Sequence, residues 1–444
     1  MDTLIMVGQF LLSLSILIVL HECGHFFPAK WFNTKVEKFY LFFDPWFSLW
    51  KVQKGETEYG IGWLPLGGYV KIAGMIDESF DKEQMSGPPQ PWEFRSKPAW
   101  QRLIIMLGGV TVNFILGFFL FAMILWHWGE EFFPAENVKY GIAVDSLAHD
   151  MGLRDGDHIL KIGDKDFEKF STGAFASEII INNAQQATVV RNGQQVNIPI
   201  SEKFVGLLSS QANQKRPLFG MRVPSKVKEV SDDSPASEAG LKVNDEFISL
   251  NGESIQYHHQ YQKASYLNRG KTVKLQVLRN KRDTVNLTAE LSEEGTLGFY
   301  AYAPLDLFDT ETQNYSFAEA VPAGISKGTG FLTSQIKAFG QIFKGRIKAK
   351  DSLGSFISIG KMYGTTWDWQ RFWNMTAMLS VLLAFINLLP IPALDGGHVM
   401  FLLWEVVTGV KPNDRFLEIA TMAGFFLLVI LMIYAIGLDI SRLF

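Results

Sequence analysis

The chain has 444 residues, of which 48% are hydrophobic and only 19% are charged, whereas soluble domains carry about 25% charged residues. This deficit indicates several membrane spans joined to a soluble portion. The formal net charge of −4 excludes a strongly basic chain, so nothing favours a nucleic-acid partner. Cys23 is the only cysteine, which excludes an internal disulfide. Because it points away from the face that carries the two predicted histidine ligands, we interpret it as a small packing residue.

The first predicted helix carries a short motif at its end. An uncharged stretch from Thr3 to Leu20 runs without a turn signal into His21-Glu22-Cys23-Gly24-His25. On a helix, histidines four residues apart leave the same face, which is the spacing that two zinc-binding nitrogens need, with Glu22 beside them as general base. An ionisable group inside a membrane-length helix costs about 2.5–3.5 kcal/mol on insertion scales, so the cluster indicates a functional site. The start of the chain lacks the basic region and cleavage site of a signal peptide, so we expect this helix to stay as a span.

Four apolar stretches are long enough to cross a bilayer. They lie at about 3–27, 103–126, 373–391 and 419–438, and tryptophans cluster at their ends. Residues 28–102 carry ten lysines and arginines, and the loop before the last stretch carries Lys411 and Arg415. The positive-inside tendency therefore predicts that both loops are cytoplasmic, and that the polar middle of the chain and both termini are outside.

The polar middle contains an internal repeat. Residues 148–160 (AHDMGLRDGDHIL) are echoed by residues 235–248 (PASEAGLKVNDEFI), and each copy continues into a short apolar strand and a turn. This signature resembles PDZ domains and predicts two in tandem. Three roles stay open for them: binding peptide C-termini, with Leu218-Phe219-Gly220-Met221 as a carboxylate-binding loop, excluding bulky substrates, or acting as a spacer.

The segment from Ser316 to Lys350 has apolar residues at three-, four- and seven-residue steps and a basic end. This pattern predicts an amphipathic helix. It either packs on the second PDZ-like domain or lies on the outer membrane surface, and the basic end favours the membrane surface.

A catalytic zinc needs a third protein ligand in addition to the two histidines. The third apolar stretch ends in NLLPIPALDGGH, residues 387–398, where a carboxylate follows two prolines at membrane depth. Helix-breaking residues at this depth are tolerated where they line a cavity or are buried in protein. Asp395 is therefore the best candidate for the third ligand. His398 is an alternative ligand, although packing near the site is the favoured interpretation.

These motifs together resemble the site-2 protease family of intramembrane zinc metalloproteases, in the bacterial type that carries tandem PDZ domains. The resemblance rests on HExxH in the first span, N-x-x-P-x-P-x-L-D-G in the third and the PDZ-like pair between spans two and three. It implies one zinc ion held by His21, His25 and Asp395, with Glu22 as catalytic base. It also implies that Asn387 and the turn with Pro390 and Pro392 hold an unwound substrate segment.

Two further stretches fit this family. Residues 58–71 (EYGIGWLPLGGYVK) look like its membrane-associated β-hairpin, at about 56–72, with Gly67 and Gly68 as substrate-binding positions. Gly109-x-x-x-Asn113 in the second span matches another family motif, which gives Asn113 a substrate role. A hairpin edge offers unpaired backbone groups that bind an unwound substrate by strand addition. The simpler alternatives are a loop packed on the bilayer and a glycine-rich face for helix packing.

The chain also departs from the family. Many relatives have Gly-Pro where this chain has Gly109-Val110, and a Ser-Gly-Pro-Ile-like stretch is replaced by Leu353-Gly354-Ser355-Phe356-Ile357. These differences concern local loop geometry and substrate choice, and they affect none of the candidate ligands.

The predicted fold class is a polytopic α-helical membrane protein with four transmembrane helices, a membrane-associated β-hairpin and two extracytoplasmic α+β PDZ-like domains. The predicted domains are an N-terminal membrane core at 1–134, PDZ-like domains at 135–215 and 216–310, an amphipathic linker region at 311–366 and a C-terminal membrane core at 367–444. The expected location is the bacterial inner membrane, with the active site towards the cytoplasm.

The predicted function is zinc-dependent cleavage of transmembrane segments of single-span proteins, with the PDZ-like pair excluding substrates by size. The resemblance implies regulated intramembrane proteolysis, such as release of an anti-sigma factor, or clearance of signal-peptide remnants. The alternative is a catalytically silent membrane scaffold that binds peptide termini, and the intact Glu22 argues against it. A metal transporter is disfavoured, since one HExxH and four spans offer little for a relay path.

Overall fold

The structure is a computed structural model that describes residues 2–65, 67–75, 87–210, 213, 217–348, 350 and 354–442. The α-helices of the described part are, in chain order, α1 (Asp2–Trp31), α2 (Ala99–Trp128), α3 (Ser146–Met151), α4 (Thr172–Ile180), α5 (Lys203–Ser209), α6 (Pro235–Glu238), α7 (His258–Leu267), α8 (Pro304–Leu307), α9 (Phe317–Phe343), α10 (Phe356–Lys361), α11 (Trp369–Asn387), α12 (Asp395–Thr408) and α13 (Asp414–Ser441). The β-strands are β1 (Val36–Leu41), β2 (Phe43–Lys54), β3 (Thr57–Leu64), β4 (Tyr69–Ile72), β5 (Glu130–Phe132), β6 (Ile142–Val144), β7 (His158–Ile162), β8 (Lys165–Asp166), β9 (Gln186–Arg191), β10 (Gln194–Pro199), β11 (Phe219–Met221), β12 (Val227–Val230), β13 (Glu246–Leu250), β14 (Glu253–Ser254), β15 (Thr272–Arg279), β16 (Asp283–Glu290), β17 (Phe299–Ala301) and β18 (Glu311–Gln313).

The chain forms two compact units. One is built from residues 1–129, 314–339 and 352–444, and the other from residues 130–313 and 340–351. In the first unit, α1, α2 and α13 are long and apolar enough to cross a membrane, which makes them candidate membrane spans. The predicted third span corresponds to α11, which has 19 residues. Helix α11 is not one of the three membrane-length helices, and its role as a span stays a prediction.

The close approach of α1 and α2 depends on two glycines. A methyl group on Gly24 would overlap the backbone of Gly108, and a methyl group on Gly108 would overlap the backbone of Gly24. Small residues at a helix crossing are the usual way to bring membrane helices together, because lipid gives no hydrophobic driving force between them. On α2, Gly117 packs against Val381 of α11 in the same manner. Helix α2 therefore contacts α1, which carries His21, Glu22 and His25, and also α11, which ends at Asn387.

A four-stranded sheet follows α1, where the sequence predicts a hairpin at 56–72. The strand order is β2-β3-β1-β4, with β1 parallel to β3 and antiparallel to β4. The predicted pairing is wrong, because β1 lies between β3 and β4. The inner strands are β3 and β1. Tyr40 of β1 is fully buried, and Gly60 of β3 leaves room for its ring. The edge strands of this sheet are β2 and β4.

The two edge strands are linked through one carboxylate. Asp44 of β2 accepts hydrogen bonds from the Tyr69 hydroxyl at 2.8 Å and from the Ser48 hydroxyl at 2.9 Å. Burial, together with the hydrogen bond to Asp44, raises the pKa of Tyr69 well above its ordinary value of 10. Tyr69 therefore remains a neutral donor, and this contact fixes the start of β4.

Helix α9, which the sequence predicts as amphipathic, packs on α2. Gly324 lies against the backbone of Ala122, and Gly328 lies against the ring of Phe118. Further along, Phe339 of α9 contacts Phe385 of α11, with ring centroids 5.5 Å apart. Neither predicted arrangement included these partners. The spacing Gly324-x-x-x-Gly328 explains the contact, because two small residues one turn apart open a groove for another helix.

The second unit contains two halves with the same order of strands and helices, except that the first half has the additional helix α5. Their four-stranded sheets have the orders β10-β9-β7-β8 and β16-β15-β13-β14, and each half also has a two-stranded antiparallel pair, β6 with β11 and β12 with β17. Because Leu218 and Phe219 are buried in the first core, β11 belongs to that half, although the predicted boundary assigns it to the second domain. The segment proposed as a carboxylate-binding loop thus contains a paired strand.

Each half is held by the same ion pair, between a buried aspartate and a partly exposed arginine. Asp157 binds Arg191 through two hydrogen bonds of 2.7 Å, and Asp245 binds Arg279 through hydrogen bonds of 2.9 and 2.7 Å. Both aspartates are at most 1% exposed. A bidentate pair of this kind fixes the loop after the short helix to the neighbouring strand. The sequence repeat is thus matched by a repeated structural pair.

Candidate metal centre

The two histidines of the HExxH motif lie side by side in the first unit. His21 and His25 are one turn apart on α1, and their exposed fractions are 8% and 7%. Their Nε2 atoms are 3.3 Å apart. Both rings occupy a space on α2 that exists because residue 109 is glycine, since a Cβ there would lie 2.7 Å from the Cε1 atom of His21. The predicted pair of nitrogens therefore converges as the spacing requires.

Both Nδ1 atoms are contacted by α2. The Nδ1 atom of His25 is 2.9 Å from the carbonyl oxygen of Ile105, and the Nδ1 atom of His21 is 3.0 Å from Nδ2 of Asn113. A carbonyl oxygen only accepts hydrogen bonds, so Nδ1 of His25 carries its proton and Nε2 is left with a free lone pair. The nitrogen that faces the neighbouring histidine is thus the one able to bind a metal.

Asp395 is the first residue of α12 and lies opposite the histidine pair. Its Oδ2 atom is 3.3 Å from Nε2 of His21 and 3.4 Å from Nε2 of His25. A tight turn brings it there, in which Ala393 has a φ of 98° and Gly396 packs against the carbonyls of Leu388 and Leu389. Such a φ is sparsely populated for a residue other than glycine and costs about 1–3 kcal/mol, so the surrounding structure holds it in place.

These three donors fit a zinc ion. Zinc in proteins binds imidazole nitrogen and carboxylate oxygen at about 2.0–2.1 Å in tetrahedral geometry, which places neighbouring ligand atoms about 3.3 Å apart. The three distances between the donor atoms here are 3.3, 3.3 and 3.4 Å. Such separations are long for N–H···O hydrogen bonds, which are usually about 2.7–3.2 Å. Among the described residues, these three form the one group of histidine, cysteine and acidic side chains close enough to share an ion.

Glu22 follows His21 on α1 and lies next to the edge of the sheet. Its side chain is buried, and the backbone N–H of Val70 in β4 donates a hydrogen bond to it. The segment before β4 reaches α1 because residue 68 is glycine, since a Cβ there would overlap Ile18; Cγ of Glu22 would be 3.6 Å from that Cβ. The structure thus brings the predicted positions Gly68 and Glu22 together. Gly67 is the preceding residue and has a φ of 156°.

The two predicted asparagines contact opposite nitrogens of the same ring. Asn387 is at the end of α11, and its Nδ2 atom is 3.4 Å from Nε2 of His21, on the side of the three donors. Asn113 contacts Nδ1 and is fully buried, whereas Asn387 is partly exposed. The turn after Asn387 contains Pro390 and Pro392, and the Pro392 carbonyl lies against Gly424 of α13.

Some residues at the site could not be assigned from the sequence. His398 lies outside the donor group and lines a small cavity of about 50 Å³ with Arg102 and Glu405. Ile105 contacts His25 through its backbone carbonyl, which every residue has, so the sequence could not indicate this contact. Gly109 did have a detectable signal, because it stands four residues before Asn113 on the same face of a helix.

The chain is similar in sequence to known proteases over nearly its whole length. The profile of peptidase family M50 matches residues 9–431. A protein of Vibrio cholerae serotype O1 whose name includes the words zinc metalloprotease is 28% identical, over 98% of this chain and 98% of its own. The regulator of sigma-E protease RseP of Escherichia coli strain K12 is 26% identical, over 98% of each chain. The protease RseP of Yersinia pestis is 27% identical over the full length of both chains.

Proposed function

Because the chain belongs to peptidase family M50 and is a zinc metalloprotease, we propose that it cleaves transmembrane segments of single-span membrane proteins within the bilayer. One observation supports this most strongly. Two imidazole nitrogens and one carboxylate oxygen form a triangle of 3.3–3.4 Å sides with the buried Glu22 beside it, and both histidines lie on α1, which is long and apolar enough to cross a membrane. A soluble substrate has no need for a site of this kind at membrane depth.

In this proposal His21, His25 and Asp395 hold one zinc ion. A zinc ion in such a site supplies Lewis acidity, which makes water acidic enough to attack near neutral pH. Glu22 takes a proton from the attacking water as the water oxygen bonds to the peptide carbonyl carbon. Glu22 then gives that proton to the amide nitrogen, and the carbon–nitrogen bond breaks.

We propose that β4 presents the substrate to Glu22. Peptide bonds inside a helix are shielded, so a transmembrane segment must unwind before it is cut. Among the described strands, β4 pairs on one side only, with β1, and its other edge faces Glu22 through the N–H of Val70. An unwound segment that pairs with this edge would place its backbone beside the base. Asn387, Pro390 and Pro392 would contact the same segment from the opposite side.

We propose further that the repeated halves of the second unit are PDZ-like domains that exclude bulky substrates, and that α11 is a fourth span. Positive loop charge supports an inner-membrane topology with these domains and both termini outside. The size-gating idea is tested with the intact chain and substrates whose outer domains increase in steps from a short tail to a folded domain. Cleavage should fall steeply above one size. Equal cleavage of all of them would show that the domains do not gate by size.

The proposed activity is tested by bound-metal analysis together with cleavage of a reporter transmembrane substrate. Wild type should purify with about one zinc ion per chain and cleave the substrate. Glu22→Gln should keep the zinc and lose turnover, by a factor of at least 10²–10⁴ if general base catalysis is lost. Absence of zinc in the wild type, or equal cleavage by both proteins, would refute the proposal. A peptide-binding scaffold would show no difference between the two.

A further inference from the structure

Asn113 is a fully buried polar side chain that contacts the candidate zinc ligand His21 on the side away from the other two donors. It is 0% exposed and lies on α2, four residues after Gly109. Its Nδ2 atom is 3.0 Å from Nδ1 of His21, while its own Oδ1 is buried and has no hydrogen-bond partner. An unpaired amide oxygen in a buried site costs about 1–3 kcal/mol, so this orientation leaves Asn113 incompletely satisfied.

The chemistry of the histidine pair shows which orientation of the Asn113 amide zinc binding would require. For His21 and His25 both to bind through Nε2, both Nδ1 atoms must carry a proton and donate it. His25 meets this condition, because its Nδ1 atom faces the carbonyl of Ile105. His21 meets it only if Asn113 presents oxygen rather than nitrogen. A half-turn of the Asn113 amide does so, and it gives the orphaned Oδ1 atom a donor.

We propose that Asn113 is a positioning residue that holds His21 for zinc, with its side-chain oxygen accepting the Nδ1 proton. The proposal rests on the proposed metal site and adds a role for a residue that contacts neither the ion nor the substrate. Because an amide offers both a donor and an acceptor, Asn113 can pair with Nδ1 of His21 before and after the ion binds. The Ser380 hydroxyl donates to the Asn113 backbone carbonyl at 2.7 Å, which ties this part of α2 to α11.

The position of Asn113 distinguishes this role from the predicted substrate role. Asn113 and Asn387 contact opposite nitrogens of His21, and only Asn387 is on the side of the three donors. An unwound substrate must approach the Nε2 side, because Asp395 and Glu22 act there. Asn113 is separated from that side by the imidazole ring itself. The two asparagines should therefore respond differently to substitution.

The test measures zinc affinity of the purified full-length protein without substrate, by competition with a chromophoric chelator. Asn113→Leu should weaken zinc binding roughly ten- to a hundredfold, the range typical when a partner of a ligating histidine is lost. Asn113→Asp should restore binding to within a few fold of wild type, because a carboxylate oxygen still accepts the proton. Asn387→Leu should retain zinc and lose cleavage through a higher KM. Thr376→Val, a nearby buried substitution without contact to His21, serves as the packing control.

Each alternative has its own result. Wild-type zinc affinity in Asn113→Leu, with or without loss of cleavage, would overturn the positioning role. Equal weakening in Asn113→Leu and Asn113→Asp would also overturn it, because packing alone would then explain the effect. A wild-type protein that binds no zinc would instead refute the metal site on which this proposal depends.

Discussion

Replacement of Gly109 by alanine should disable the metal centre by displacing both imidazoles. Gly109 lies on α2 beneath the rings of His21 and His25. An added Cβ would be 2.7 Å from Cε1 and 2.9 Å from Nδ1 of His21, whereas ordinary contacts begin at about 3.4 Å. The imidazole ring of His21 must therefore move by about 0.7 Å, unless α2 itself moves away.

This displacement is large on the scale of a metal site. Ligand distances in zinc sites are held to within about 0.2 Å, so a shift several times larger should lower zinc affinity. A misplacement of about 1 Å at a catalytic group costs roughly a hundredfold in rate. We therefore expect Gly109→Ala to reduce kcat/KM by about two orders of magnitude and to reduce the zinc bound after dialysis.

The assay compares zinc content and substrate cleavage of Gly109→Ala with those of Gly8→Ala. Gly8 is a matched control, because it also lies in a membrane helix but has open space where a Cβ would be added. Gly8→Ala should keep the zinc and cleavage of the wild type. If Gly109→Ala retains both as well, the close packing of the rings on α2 does not determine the site.

Three further predictions concern the sheet, the helix packing and the repeats. Asp44→Asn and Tyr69→Phe should each loosen β4 without touching the zinc donors. Each should therefore slow cleavage of a helical substrate several-fold more than cleavage of a substrate with a helix-breaking residue. Equal slowing of both substrates would count against a role for β4. Gly324→Leu should lower the melting temperature in detergent because it separates α9 from α2, whereas Gly330→Leu, with open space around it, should not. Arg279→Met should destabilise the second repeat by about 3–5 kcal/mol through its unpaired partner. Hydrogen exchange of β13 and β15 in the intact chain should then rise while that of the first repeat stays constant; unchanged exchange would show that the ion pair contributes little.

The metal centre was the most predictable part of this molecule. Zinc coordination limits the types of ligand, and helix geometry fixes the separation of His21 and His25, so the sequence alone indicates the donors. Asp395 was also detectable, because a carboxylate after two prolines is rare at membrane depth. The structure brings these three side chains into one group. Bound-metal analysis of the purified protein tests their assignment as ligands.

The sheet could not be predicted in the same way. The sequence indicates strands at residues 58–71, but strand order depends on which edge a preceding segment fills. Here β1 takes the position between β3 and β4 because Gly60 leaves room for Tyr40, a contact between residues 20 positions apart. The partner of α9 was unpredictable for a similar reason. An amphipathic pattern identifies the face that is buried, but it does not identify the surface that covers that face.

Helix α2 has a larger role at the metal centre than its apolar composition indicates. This helix supplies none of the three donors, yet it contacts both histidines. The contacts come from residues spaced four apart on one face: the carbonyl of Ile105, the backbone of Gly109 and the side-chain amide of Asn113. That spacing matches the spacing of His21 and His25 on α1, because both helices repeat about every 3.6 residues. A close helix crossing at Gly24 and Gly108 is what keeps the two faces in register. The orientation of the imidazoles is therefore set by the second helix, and substitutions on that face should affect zinc binding before they affect substrate binding.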